Sequence, residues 1–215
     1  MEKNLETAGY LHVQQAYEGF EIVLGWESRN KYRIFDEKMN LIAFAAEQNK
    51  GFLASIARQF FGHWRSFDVT VFGADRQPVY QLHFPFRWFF KTLYIRDREN
   101  QLVGYAQQRF AIFRKKFDLH DSNNQKIAYI NSSFFRFWTF DVFARKKIGS
   151  IQKKWSGALS EMFTDRDNFV VTFEDPEMTT ETKALLLGTC LMVDLVYFES
   201  KKGGGGLGGI VDLFD

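Results

Sequence analysis

Between Tyr32 and Ile151 apolar and polar positions alternate in short runs separated by acidic or polar turns, and one unit recurs five times. The copies are Tyr32 to Phe44, Phe67 to Tyr80, Leu93 to Tyr105, Phe117 to Tyr129 and Phe140 to Ile151. Their corresponding apolar positions, Ile34, Val71, Ile95, Leu119 and Val142, recur about every 24 residues after one longer first step. Phe67, Val69 and Val71 against Asp68 and Thr70 give a period of two, so one face points inward and the other outward. Each unit therefore predicts a β-hairpin. The turns contain Asp36, Asp75, Asp97 and Asp121, whose carboxylates can accept from nearby backbone amides and hold the reversal.

Repeated hairpins leave a sheet with two open edges, and closure into a barrel removes them. A propeller is the rival architecture, but one hairpin per repeat is too little for a four-stranded blade.

After Pro176 the hairpin pattern stops. Thr179 or Thr180 can cap a helix with Glu181 in its first turn, and from Ala184 to Phe198 nearly every position is apolar. A helix apolar all round must be buried. Leu185, Leu186, Leu187, Leu191, Met192 and Leu195 are its candidate core. A membrane span needs roughly 20 apolar residues. This run is shorter and carries Asp194, so burial inside the barrel fits better, with a partner for Asp194 expected near the barrel mouth. Gly203, Gly205 and Gly208 make a formal G-x-G-x-x-G, but it follows a helix, so residues 201–215 read as a flexible tail.

The chain has 215 residues and is 46% hydrophobic, enough for one full core. The 18% aromatic content, with 25 Phe, favours strands. Lys and Arg (28) nearly balance Asp and Glu (26), which argues against a nucleic-acid partner. Cys190 stands alone and no zinc spacing is present, so a reducing compartment is expected. The polar start, Met1 to His12, has no apolar signal core. His12, His63, His83 and His120 are scattered, and no nucleophile elbow or phosphate-loop lysine is found, so an enzyme is not expected.

Several strings resemble the phospholipid scramblase family: NKYRIF from Asn30, FAAEQ from Phe44, GSIQKKWSGALSEMFTDRDNF from Gly149 to Phe169, and KALLLGTCLMVDLVYFES from Lys183 to Ser200. With Val13-Gln14-Gln15 the resemblance runs in order from Leu11 to Ser200. It implies a Tubby-like fold, a closed twelve-stranded antiparallel β-barrel enclosing a hydrophobic C-terminal α-helix. The domain reading is an N-terminal extension over 1–10, the barrel over 11–200 and the tail over 201–215.

The resemblance implies calcium-stimulated, ATP-independent, bidirectional movement of phospholipids between leaflets. The alternative is a noncatalytic barrel that binds lipid or a protein partner at a membrane surface. Either places the protein on the cytoplasmic side of a membrane, with a partly cytosolic pool. In the family an EF-hand-like calcium segment begins at the position of Asp165; here the available donors are Asp165, Asp167, the carbonyls of Phe169 and Val171, and Asp175 and Glu177 beside Pro176. A tight EF-hand needs Gly at its sixth position and Glu at its twelfth, where this chain has Val170 and Pro176, so any such Ca2+ site is weak.

Where relatives carry a palmitoylated cysteine run, this chain has Phe84 to Lys91, including Arg87, Trp88, Phe89, Phe90 and Lys91. Aromatic rings with cations suit a headgroup interface, and Phe113 with Arg114, Lys115 and Lys116, and Phe134 to Trp138, have the same character. These segments are the expected membrane contacts.

Overall fold

The structure, a computed structural model, describes residues 1–16, 30–48, 66–87, 89–111, 114–132, 138–154 and 168–198. The strands are β1 Tyr10–Gln15, β2 Lys31–Phe35, β3 Leu41–Glu47, β4 Phe67–Gly73, β5 Pro78–Phe84, β6 Thr92–Arg96, β7 Leu102–Arg109, β8 Lys116–Asp121, β9 Lys126–Ser132, β10 Thr139–Phe143, β11 Lys147–Lys154 and β12 Asn168–Phe173. Each pairs antiparallel with its sequence neighbours, and β1 closes the ring on β12 through Leu11 opposite Val171 and Val13 opposite Phe169. No edge remains to be protected.

Ile34, Val71, Ile95, Leu119 and Val142 are all fully or almost fully buried, as the period of two requires. Four of the five hairpins share one turn. Asp36 N–H donates to Asn40 O, Asp97 N–H to Gln101 O and Asp121 N–H to Gln125 O, each at 3.0 Å. The Asp36 carboxylate also accepts from the amides of Lys38 and Asn40, and Asp121 from those of Asn123 and Gln125. In the second hairpin Gly73 takes the place of this aspartate, and Asp75 sits two residues further on, accepting from Gln77 N–H at 3.2 Å. Met39, Arg76, Asn100 and Asn124 close these turns with φ between 61° and 63°. In these four hairpins the left-handed residue and the register shift beside the turn, as between Val71 and Phe72, give a one-residue bulge that tightens the twist, whereas the shorter β10–β11 turn is closed by Ala144 N–H donating to Lys146 O.

The barrel is filled by α2, Thr180–Val193, whose last turn widens into a π-helical segment, Asp194–Phe198. Thr179 caps it by accepting from Thr182 N–H at 3.3 Å. Every residue from Lys183 to Val193 is buried, as are Asp194 and Leu195. Gly188 allows the helix to lie against β6: a β-carbon there would stand 2.4 Å from Ile95 Cδ1. No described helix is long and apolar enough to cross a membrane.

Residues 1–10, set apart by the sequence as an extension, belong to the barrel. Glu2–Thr7 forms a short helix, α1, with Leu5 fully buried, and Tyr10 already pairs with Thr172 in the sheet. Lys183 of α2 donates to Glu6 O at 2.7 Å and Ala8 O at 2.8 Å, so the helix inside the barrel holds the carbonyls that end α1. Burial lowers the Lys183 pKa, against the nearby Glu37 and Glu6 carboxylates, which raise it. The tail over 201–215 lies outside the described residues.

Candidate functional site

Up-and-down strand order sorts the connections between two ends of the barrel. The β2–β3, β4–β5, β6–β7, β8–β9 and β10–β11 turns, three to five residues each, lie together at a turn end that α1 covers. The β1–β2, β3–β4, β5–β6, β7–β8, β9–β10 and β11–β12 connections, six to nineteen residues each, leave from strand ends at the other, the loop end. α2 starts at the turn end, after β12, and finishes at the loop end.

The two ends differ in chemistry. The turns hold Asp36, Glu37, Asp75, Asp97 and Glu99 together with Lys38, Arg76, Arg98, Arg145 and Lys146, so their charges balance. The β5–β6 connection, residues 85–91, and the β7–β8 connection with the start of β8, residues 110–116, contain no Asp or Glu. They carry Arg87, Lys91, Arg114, Lys115 and Lys116, with Arg109 at the adjoining end of β7. All four exposed phenylalanines among the described residues are here as well: Phe86, Phe89 (82% exposed), Phe90 and Phe110 (72%). Large apolar rings held in water beside cations mark an interaction surface.

Backbone bonds join these connections into a continuous rim. Gln108 N–H donates to Lys91 O at 2.8 Å, and Lys91 N–H to Gln108 Oε1 at 3.3 Å. Ser132 N–H donates to Lys115 O at 2.9 Å, and Lys115 N–H to Ser132 Oγ at 2.7 Å.

The end of α2 is fastened into the same rim. The Tyr32 hydroxyl donates to the Asp194 carboxylate at 2.7 Å, the mouth-side partner that the buried carboxylate calls for. Lys115 Nζ lies 3.3 Å from the centre of the Tyr197 ring, a cation–π contact that holds the π-helical turn against β8. Burial raises the Tyr197 phenol well above its ordinary range. One helical turn before Asp194, Cys190 is completely buried, and burial, with the Asp194 carboxylate second, pushes its thiol up; it is a packing residue.

A small groove opens beside this helix end. Phe67 of β4 and Phe84 of β5 stack at 4.4 Å, and Leu195 and Val196 close the groove from the helix side. Arg87, Lys91 and Thr92 line the rest.

Of the expected membrane contacts, Arg87, Phe89, Phe90, Lys91, Arg114, Lys115 and Lys116 all fall at the loop end; Trp88, Phe113 and residues 134–137 lie outside the described residues. Leu185, Leu186, Leu187, Leu191, Met192, Asp194 and Leu195 line the buried helix as expected. Lys153, in the basic pair before Trp155, is buried and faces the rings of Trp138 and Phe169.

The described calcium donors are in and after β12. Asp165 and Asp167 lie outside the described residues. Phe169 and Val171 are in β12, paired on one side with Val13 and Leu11 and on the other with Lys153 and Ile151, with their side chains buried in the core. Asp175 and Glu177 follow β12 at the turn end. Six extended residues cover about 20 Å, so this stretch cannot wrap one ion as an EF-hand loop does. No group of three or more His, Cys, Asp or Glu among the described residues is placed to hold a metal ion.

Outside the rim, Asp118 on the outer wall receives Arg109 at 2.5 Å and Lys126 at 2.8 Å. Burial pushes its carboxyl up, but the hydrogen bonds from Lys126 and Arg109 outweigh burial and leave it below the usual aspartate range. His83 and Asp68 pair at 2.5 Å across β4 and β5.

The family model described as Scramblase matches residues 2–200. Among curated relatives, a phospholipid scramblase family protein of Schizosaccharomyces pombe is 26% identical, over 92% of this chain and 61% of its own length. Phospholipid scramblase 2 of Bos taurus is 26% identical over 90% of this chain and 69% of its own. Phospholipid scramblase family member 5 of Homo sapiens is 28% identical over 89% and 74%. The chain thus spans about three fifths of the first relative's length and about two thirds to three quarters of the others'. A solved Arabidopsis thaliana structure superposes with a TM-score of 0.49 at 12% identity, over 89% of this chain and 94% of that one.

Proposed function

The chain belongs to the scramblase family, and from that premise we propose that it acts on phospholipids at a membrane surface, with the loop end of its barrel facing the bilayer. One observation carries this reading: the exposed rings of Phe86, Phe89, Phe90 and Phe110 share one end of the barrel with Arg87, Lys91, Arg114, Lys115 and Lys116. The rings suit the headgroup boundary, and each cation near an anionic leaflet contributes about 1 kcal/mol. The turns at the opposite end, where acids and bases balance, face away in this orientation. Attachment from the cytoplasmic side fits a chain whose single cysteine is a buried thiol.

Bidirectional, ATP-independent movement of phospholipid between leaflets is the fuller reading, favoured by the names of the relatives. The interior of the barrel is occupied by Leu185 to Leu195, so a lipid would have to travel along the rim or between assembled copies. Calcium stimulation belongs to this fuller reading, with the carboxylates on either side of β12 in sequence as the donors to test. Protein partners at the same rim belong to the alternative in which the barrel only binds.

Reconstitution into vesicles with a fluorescent lipid in both leaflets, without ATP and with or without calcium, separates these readings. A scrambling protein exposes the inner-leaflet probe to an external quencher. A surface binder floats with the vesicles and leaves that probe protected.

A further inference from the structure

We propose that the groove beside the end of α2 binds a single anionic phospholipid, with its phosphate at Arg87, Lys91 and the Thr92 hydroxyl and the start of its acyl region over Phe67 and Phe84. This deepens the membrane-surface reading and rests on it.

Three observations converge. First, the floor is apolar and built by elements far apart in the chain: the stacked rings of Phe67 and Phe84, with Leu195 and Val196 of the π-helical turn. Second, both charged residues lining the groove, Arg87 and Lys91, are cations from one short connection that contains no carboxylate. Third, Thr92 is 3% exposed, and its hydroxyl has no hydrogen-bond partner among the described residues. A buried hydroxyl left unpaired is costly, so its presence at a groove wall points to a ligand oxygen.

An apolar strip ending in two cations and one neutral donor matches an amphiphile whose anionic head is rich in acceptor oxygens. Arg and Lys supply charge-assisted bonds to phosphate, and Thr92 can donate one more. A free phosphate would leave the partly exposed Phe67 and Val196 side chains uncovered, which is why the lipid, and not the ion alone, is the assigned occupant.

The test titrates the full chain with dihexanoyl phosphatidic acid below its micelle concentration, followed by calorimetry. The expected result is saturable binding of one lipid per chain, weakened at least about tenfold, equivalent to about 1.4 kcal/mol, by Arg87→Gln with Lys91→Gln. Thr92→Val, nearly the same shape without the hydroxyl, should weaken it about threefold or more, and Thr92→Ser should keep parental affinity. Thermal unfolding of each variant establishes that it is folded. Inorganic phosphate binding as tightly as the lipid would overturn the acyl part of the assignment. Equal affinity for Thr92→Val and parent would overturn the hydroxyl's role. Absence of saturable binding, in a protein that still floats on anionic vesicles, would overturn the groove while leaving membrane attachment intact; saturable binding without flotation would do the reverse.

Discussion

Tyr32 and Asp194, 162 residues apart in sequence, are joined by a 2.7 Å hydrogen bond that fixes the end of the central helix to the barrel wall. The carboxylate is buried and follows the last α-helical turn, where the helix dipole disfavours negative charge, so a donor is required. Tyr32→Phe keeps the ring and removes the donor. It should cost about 1–3 kcal/mol, read as a lower urea midpoint with an unchanged slope. Asp194→Asn, which keeps an acceptor, should cost less. A Tyr32→Phe protein as stable as the parent would contradict this role for the pair.

The turn end depends on Lys183. Its ammonium satisfies two carbonyls of the α1 region, and Leu5 is fully buried beneath that helix. Lys183→Met should keep most of the packing but leave those carbonyls without their donor, at a cost of about 1–3 kcal/mol. Hydrogen exchange should quicken first at residues 2–8. Uniform destabilisation, with no local opening of α1, would show that Lys183 serves general packing instead.

On the outer wall Asp118 makes stability depend on acid. Its folded pKa is lowered, so its contribution is fully present above the unfolded value of about 3.9 and is lost as pH falls through the lower folded value. Stability of the parent should decline below about pH 4. Asp118→Asn should start lower and flatten that decline. Because Arg109 and Lys126 are half exposed, high salt should shrink the difference. Parallel acid curves for parent and variant would exclude Asp118 as a contributor.

Much of the barrel is legible along the chain because a strand's period of two commits each residue to one face. Ile34, Val71, Ile95, Leu119 and Val142 recur in register and are all buried. The helix is legible for the opposite reason: Leu185 to Val193 has no polar face, so it could only be enclosed. Closure was legible from the open edges, but its seam was not, since Tyr10–Gln15 and Asn168–Phe173 meet across the whole chain with no turn to announce them. Nor is α1, whose EKNLET sequence offers one buried leucine and depends on a lysine far downstream.

That Phe169 and Val171 lie in a strand was hard to see because alternate positions suit both a ligand loop and a strand. In NFVVTF the signal lies in the β-branched and aromatic residues, with Phe169 and Val171 facing inward. At the loop end, composition identified the cations and rings, but only the strand order puts residues 85–91 and 110–116 on the same end. The groove was missed for a related reason: Phe67 and Phe84 look like ordinary wall positions until the end of α2 packs beside them.

The loop end as the membrane-facing surface is tested most directly by flotation on vesicles containing phosphatidylserine, comparing two charge reversals of equal size. Arg87→Glu with Lys91→Glu alters the loop end; Arg76→Glu with Arg98→Glu alters exposed positions in the turns at the other end. The account predicts that the first pair abolishes or strongly reduces flotation at low salt while the second leaves it near the parental level. Equal loss in both, or loss confined to the Arg76 and Arg98 pair, would contradict it.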